Sequence, residues 1–114
     1  MDWSKRLSNL YNLNEFHQDW GICNADNSRV SEFIKIFLNH EAVDPWEWEE
    51  LADLVFESAN GLMREGKLTK DQEKALIDIV LNHRHKFPEQ FEYWLEYGDY
   101  ESSPIKRIIE RGKE

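Results

Sequence analysis

Cysteine is nearly absent from this 114-residue chain. Cys23 is the only one, so no internal disulfide can form and a reducing compartment is the natural setting. No apolar run approaches the roughly 18 residues that cross a bilayer. The opening MDWSKRLSNL also lacks the apolar stretch of a signal peptide. A cytoplasmic protein without membrane contact is the expectation. Five glycines and three prolines are too few for a flexible linker, and the chain shows neither an internal repeat nor the polar–apolar alternation of a strand. Basic residues are outnumbered 14 to 23, for a net charge of −9, a field that repels nucleic acid and attracts basic proteins. Glycine-rich phosphate loops, C-x-x-C, H-E-x-x-H and nucleophile elbows are all missing. No enzymatic activity, metal or cofactor is therefore expected.

What the chain does carry is core material. Hydrophobic residues make up 40%, and five Trp, six Phe and four Tyr exceed what a disordered acidic chain would contain. The length suits one domain, expected over 1–114, able to bury roughly two-thirds of its unfolded surface. Trp3, Leu7, Leu10 and Tyr11 share a face of a first helix that should fray near Asn14. A loop with Gly21, Asn24, Asp26 and Asn27 follows. Val30, Phe33, Ile34, Phe37 and Leu38 then have the spacing of an amphipathic helix. Asp44-Pro45-Trp46-Glu47 and Thr69-Lys70-Asp71-Gln72 both read as helix starts with a capping residue and a side chain that bonds back. Arg64-Glu65-Gly66-Lys67 reads as a glycine-closed helix end. The helix from Thr69 spreads Ala75, Leu76, Ile77, Ile79, Val80 and Leu81 around well over half its circumference, which predicts that it is central. Pro88 opens a short helix to Tyr97, stopped by Gly98, and Ser103-Pro104 caps a last one to about Arg111. The expected fold is all-α, a bundle of five to six short helices.

The negative charge is uneven. Residues 1–60 hold 12 acids and 4 bases, whereas residues 61–114 hold 11 acids and 10 bases. Residues 41–57 carry seven acids and no base (Glu41, Asp44, Glu47, Glu49, Glu50, Asp53 and Glu57). At about 100° per residue, Trp48, Leu51, Ala52, Val55, Ala59 and Leu62 face one way, and Glu49, Glu50, Asp53 and Glu57 face the other. This predicts an exposed acidic ridge with Trp46 in its midst. Trp46 has two readings, an anchor for a partner or a first-turn ring folded back as a cap against Val43 or another segment. After Pro88 the same division sets Phe91, Trp94 and Leu95 against Glu89, Glu92 and Glu96. Two ridges predict a docking surface for a cationic partner, the alternative being a solvated face that aids solubility.

Histidine offers little chemistry. His83 and His85 lie about 200° apart on a helix and cannot grip one metal together. His83 falls on the apolar side and reads as a hydrogen-bonded core histidine, while His40 has no assignable role. Cys23 has no neighbouring cation or base to activate it. In Glu15-Phe16-His17-Gln18-Asp19-Trp20, His17 and Asp19 form an imidazole–carboxylate pair suited to proton transfer or metal binding, but spacing marks no third ligand. The structural reading has His17 or Gln18 donating to the last carbonyls of the first helix, with Phe16 and Trp20 buried beneath the loop.

Phe16-His17-Gln18-Asp19-Trp20 resembles the signature of a family of small bacterial immunity proteins from contact-dependent growth inhibition systems. In that family a tyrosine precedes the five residues, after a first helix; here Glu15 takes its place. Tyr93-Trp94-Leu95 is similar to the family's aromatic-rich segment near the C-terminus. The resemblance implies a helical cytoplasmic protein that binds a cognate toxin C-terminal domain, often a nuclease, as a heterodimer, and occludes or distorts its active site. It assigns no toxin-contacting residue, and Phe16 to Trp20 carry over only as a fold-stabilising element. The expected function is thus an immunity protein using Asp44, Trp46, Glu47, Glu49, Glu50, Asp53, Glu57, Glu89, Glu92 and Glu96 to bind a basic toxin, without catalysis, metal or nucleic acid. An acidic nucleic-acid mimic regulating a host DNA- or RNA-binding protein is the alternative. A small metal-dependent hydrolase using His17 and Asp19 stands third.

Overall fold

A computed structural model describes residues 3–16, 18–96 and 98–113, and every regular element among them is helical. The helices are α1 (Trp3–Tyr11), α2 (Trp20–Cys23), α3 (Val30–Asn39), α4 (Trp46–Arg64), α5 (Lys70–His83), α6 (Pro88–Glu96) and α7 (Ile105–Lys113), with 3-10 turns at Asn27–Arg29 and Arg84–Lys86. The helix missing from the sequence reading is α2. Four residues are too short to show a 3.6-residue period, so its sequence reads as loop.

The local start and stop signals perform as their chemistry requires. Gln72 N–H donates to Thr69 Oγ1 at 3.1 Å, and Thr69 N–H donates to Gln72 Oε1 at 3.0 Å, a complete capping box. At α4, Trp46 N–H donates to Asp44 Oδ1 at 3.0 Å and Asp44 N–H to Glu47 Oε2 at 2.7 Å. Gly66, at φ 71°, closes α4 while its own N–H reaches Met63 O and that of Lys67 reaches Leu62 O, a pairing of end carbonyls that needs a left-handed residue.

The centre of the fold is α4, not α5 as the apolar pattern predicts. Twelve of its nineteen residues are buried, on every side of the helix. α2, α3, α6 and α7 all pack against it, whereas α5 lies outside, against α3 and α7. On α5 only Leu76, Ile79 and Val80 are buried, and Leu81 is largely exposed. The core gathers Leu7, Trp20, Phe33, Phe37, Leu51, Leu54, Phe56, Phe87, Ile105 and Ile108 around α4. Two rim positions also differ from expectation: Leu10 and Leu38 face solvent, and α1 turns Ser4 and Ser8 inward instead. Those hydroxyls are wanted inside. Ser4 donates to Phe16 O at 2.7 Å, and Ser8 donates to Asn14 O at 2.9 Å while accepting from Trp20 Nε1 at 2.8 Å.

Candidate functional site

The predicted first acidic ridge is not on the surface. Glu47, Glu49, Glu50 and Asp53 are all buried and Glu57 is half-buried. The reason is that the polar side chains of α4 serve the backbones of its neighbours. Glu49 accepts from the Glu89 and Gln90 amides, at 3.2 and 3.0 Å, in the first turn of α6. Glu50 accepts from Gly21 N–H at 3.1 Å, in the first turn of α2. Ser58 Oγ accepts from Asp26 N–H at 2.9 Å, and Asn60 Oδ1 accepts from Ile105 N–H at 3.1 Å at the start of α7. Free amides at a helix start carry partial positive charge, so a carboxylate or amide oxygen is a favourable partner there even without water. The contact with α2 is close. A Cβ on Gly21 would stand 2.7 Å from Asp53 Cβ and 2.9 Å from Leu54 N, and would strike Glu50 O.

Glu47 is wholly buried for a different reason. It pairs with Arg6 of α1, accepts from the Asp44 amide and meets His40 Nε2 at 2.7 Å, while the Tyr11 hydroxyl meets His40 Nδ1. A carboxylate only accepts, so His40 donates through Nε2. Burial pulls the Glu47 carboxyl upward, but the hydrogen bonds from Arg6, His40 and Asp44 outweigh it and hold it below the ordinary range. The Tyr11 hydroxyl is pushed upward, first by burial and then by Glu47, the opposite of what a nucleophile needs. The relay therefore clamps α1 to the start of α4. The joint role of Arg6, Tyr11 and His40 was not legible in the sequence because Tyr11 and Arg6 meet partners 29 and 41 residues away, beyond any periodic pattern.

Known protein families, characterised proteins and solved structures give no match to this chain.

Two acids of α4 differ from the rest. Asp53 is 4% exposed, yet its Oδ1 has no hydrogen-bond partner among the described residues. Burial first, and then the charges of Glu50, Glu57, Glu49 and Asp19, push its carboxyl up to about 8. Glu57, one turn on, is likewise pushed upward by burial, with only Arg64 pulling the other way. Among the described residues no group of three or more His, Cys, Asp or Glu side chains is arranged to hold a metal ion. His17 lies outside the described residues, so a His17–Asp19 pair is not placed.

The rest of Phe16–Trp20 has a structural part. Trp20 is fully buried, its ring edge-on to Trp3 at 6.1 Å, and Phe16 is half-buried. Asp19 enters α2 in the left-handed region at φ 53°. The donors reaching the end of α1 come from elsewhere than Gln18: Leu13 N–H bonds Ser8 O at 2.9 Å, and Arg29 Nη2 bonds Tyr11 O at 3.3 Å. His83 is half-buried, edge-on to Phe37 at 6.0 Å, but its buried Nδ1 has no hydrogen-bond partner among the described residues, unlike the hydrogen-bonded core histidine expected.

The second ridge is exposed as predicted. Glu89, Glu92 and Glu96 face solvent on α6, opposite buried Trp94, with Tyr93 exposed between them. Their carboxylates enter no hydrogen bond or ion pair among the described residues. Trp46 is 46% exposed and Val43 78% exposed, so neither ring nor valine shields the other from solvent. Because Glu49 holds the start of α6, Trp46 and exposed Asp44 lie at the end of α4 from which that ridge begins. No helix among the described residues is long and apolar enough to cross a membrane.

Proposed function

We propose that this chain is an immunity protein of the contact-dependent inhibition type, which neutralises a basic toxin domain by stoichiometric binding in the cytoplasm. The observation carrying this reading is the row of Glu89, Glu92 and Glu96 on the open side of α6, unpaired among the described residues. A nuclease holds phosphates with Lys and Arg, and carboxylates spaced along a rigid helix compete for the same groups. Complementary charge accelerates capture by about 10-fold to 1,000-fold over a neutral pair. Exposed Trp46 and Tyr93 supply aromatic contact area beside the charges, and Asp44 extends the field. Glu47, Glu49, Glu50 and Asp53 are withdrawn from the docking set by their burial.

The test is co-expression with the toxin domain of a large secreted protein encoded immediately upstream. Rescue of growth and co-purification as a one-to-one complex are the expected results. Failure of both would remove this reading.

A further inference from the structure

The outer side of α5 is electrically balanced on a strongly acidic molecule. A groove of about 730 Å³ runs along it toward the end of α7, and its charged lining sets three cations, Lys70, Lys74 and Arg111, against three anions, Asp71, Glu73 and Asp78. The whole chain carries −9. Arg111 and Glu73 pair with each other, which ties α7 to the rim of the groove. The side chains of Lys70, Asp71 and Lys74 enter no hydrogen bond or ion pair among the described residues, where Asp78 accepts only from Asn82 Nδ2, at 2.6 Å. Between the charges lies apolar surface: Leu81 is 48% exposed, and Ile77 and Ala75 are half-buried. We propose that this groove is the contact of a homodimer, in which α5 of a second copy lies antiparallel along α5 of the first.

Charge selects both the occupant and its direction. Two copies of a −9 molecule repel, so self-association needs a face whose own charges cancel. A basic partner gains nothing from a neutral face, and neither does an acidic one. Lys74 and Asp78 stand one turn apart in lysine-first order, the poorer arrangement for a pair within one helix. Across two helices they serve better. A parallel second copy would set Lys74 against Lys74. An antiparallel one, related by a two-fold axis passing between these residues, sets Lys74 of each copy against Asp78 of the other. In that register the two Ile77 side chains approach beside the axis. Leu81 of each copy then lies against the lysine stems of the other, which cover apolar surface while their heads stay in water. The fourteen residues of α5 give a contact line of about 21 Å. Such an interface is small, so the dimer is weak and concentration-dependent. The groove shares no residue with the α6 row, and the inference stands apart from the toxin-binding reading.

Sedimentation velocity of the full chain alone, from about 10 µM to 1 mM, reads the equilibrium directly. The weight-average mass should climb from 13.7 kDa toward twice that value. Lys74→Glu and Asp78→Lys change exposed positions, so the fold should survive in each, as circular dichroism would verify. Either change brings like charges together at both symmetric crossings and should weaken association about tenfold or more. An equimolar mixture of the two variants restores opposite charges at both crossings, and should associate within about threefold of the wild type. A wild-type chain that stays monomeric throughout would leave the groove to some other partner and overturn the proposal. So would a dimer indifferent to both substitutions, which must lie on another surface, or a mixture that associates no better than either variant alone.

Discussion

Asp53 makes the sharpest demand on a single side chain. Its carboxyl titrates near 3.8 as a free group but at about 8 in the fold. Between those values the folded chain holds a proton that the unfolded chain has released, so stability falls as pH rises through this window. Glu49, Glu50 and Glu57 are shifted the same way by burial. Glu47 is shifted oppositely, so its contribution is lost in acid. Stability should therefore peak at mildly acidic pH and decline toward pH 8, read as the urea midpoint across pH 4 to 9. Asp53→Asn should flatten that decline and add about 1–3 kcal/mol at pH 8; a wild-type profile already level from pH 5 to 8 would contradict the assignment. Glu47→Ala is the opposite case. It strands Arg6 and His40, at a cost of about 3 kcal/mol, the low end for a broken buried pair because Arg6 is partly solvated. A loss below about 1 kcal/mol by chemical denaturation would show that the relay is not a clamp.

At the level of the helix, the boundaries were legible and the neighbours were not. Thr69 with Gln72, Asp44 with Glu47, and Gly66 are signals whose partners lie within three or four residues, so sequence order alone brings them together. Glu49 and Asn60 do the same work for α6 and α7 from 40 to 45 residues away, and nothing local announces it. Removing Glu49 as Glu49→Ala should cost about 1–2 kcal/mol. Amide exchange at Glu89 and Gln90 should accelerate while α3 keeps its protection; unchanged exchange there would dismiss the cap. Gly21→Ala is more severe, since the added carbon meets α4 backbone rather than a flexible side chain. A loss of about 3 kcal/mol or more is expected in thermal or urea unfolding, with α2 displaced, and near wild-type stability would refute the close crossing.

For the whole molecule, burial decides which charge reversals are informative. Glu50→Lys or Asp53→Lys would put a cation into the interior and report on folding, not docking. Glu92→Lys combined with Glu96→Lys changes only exposed positions, so the fold should survive with less than about 1 kcal/mol of change. In the rescued toxin pair the same double variant should slow association tenfold or more at low salt and flatten its salt dependence. An unaltered association rate would place the contact on another surface.

Composition and local order were enough to make this chain helical, acidic and, apart from the four-residue α2, divided into its helices, because propensity, capping and glycine termination act over a few residues. They also turned the carboxylates of α6 to the outside. Which helix would be central was settled only by packing. Hydropathy assigns a glutamate to water, yet the free amides at the starts of α2 and α6 provide a substitute for water at Glu50 and Glu49. Once those partners arrive from elsewhere in the chain, the most charged helix can be the innermost one.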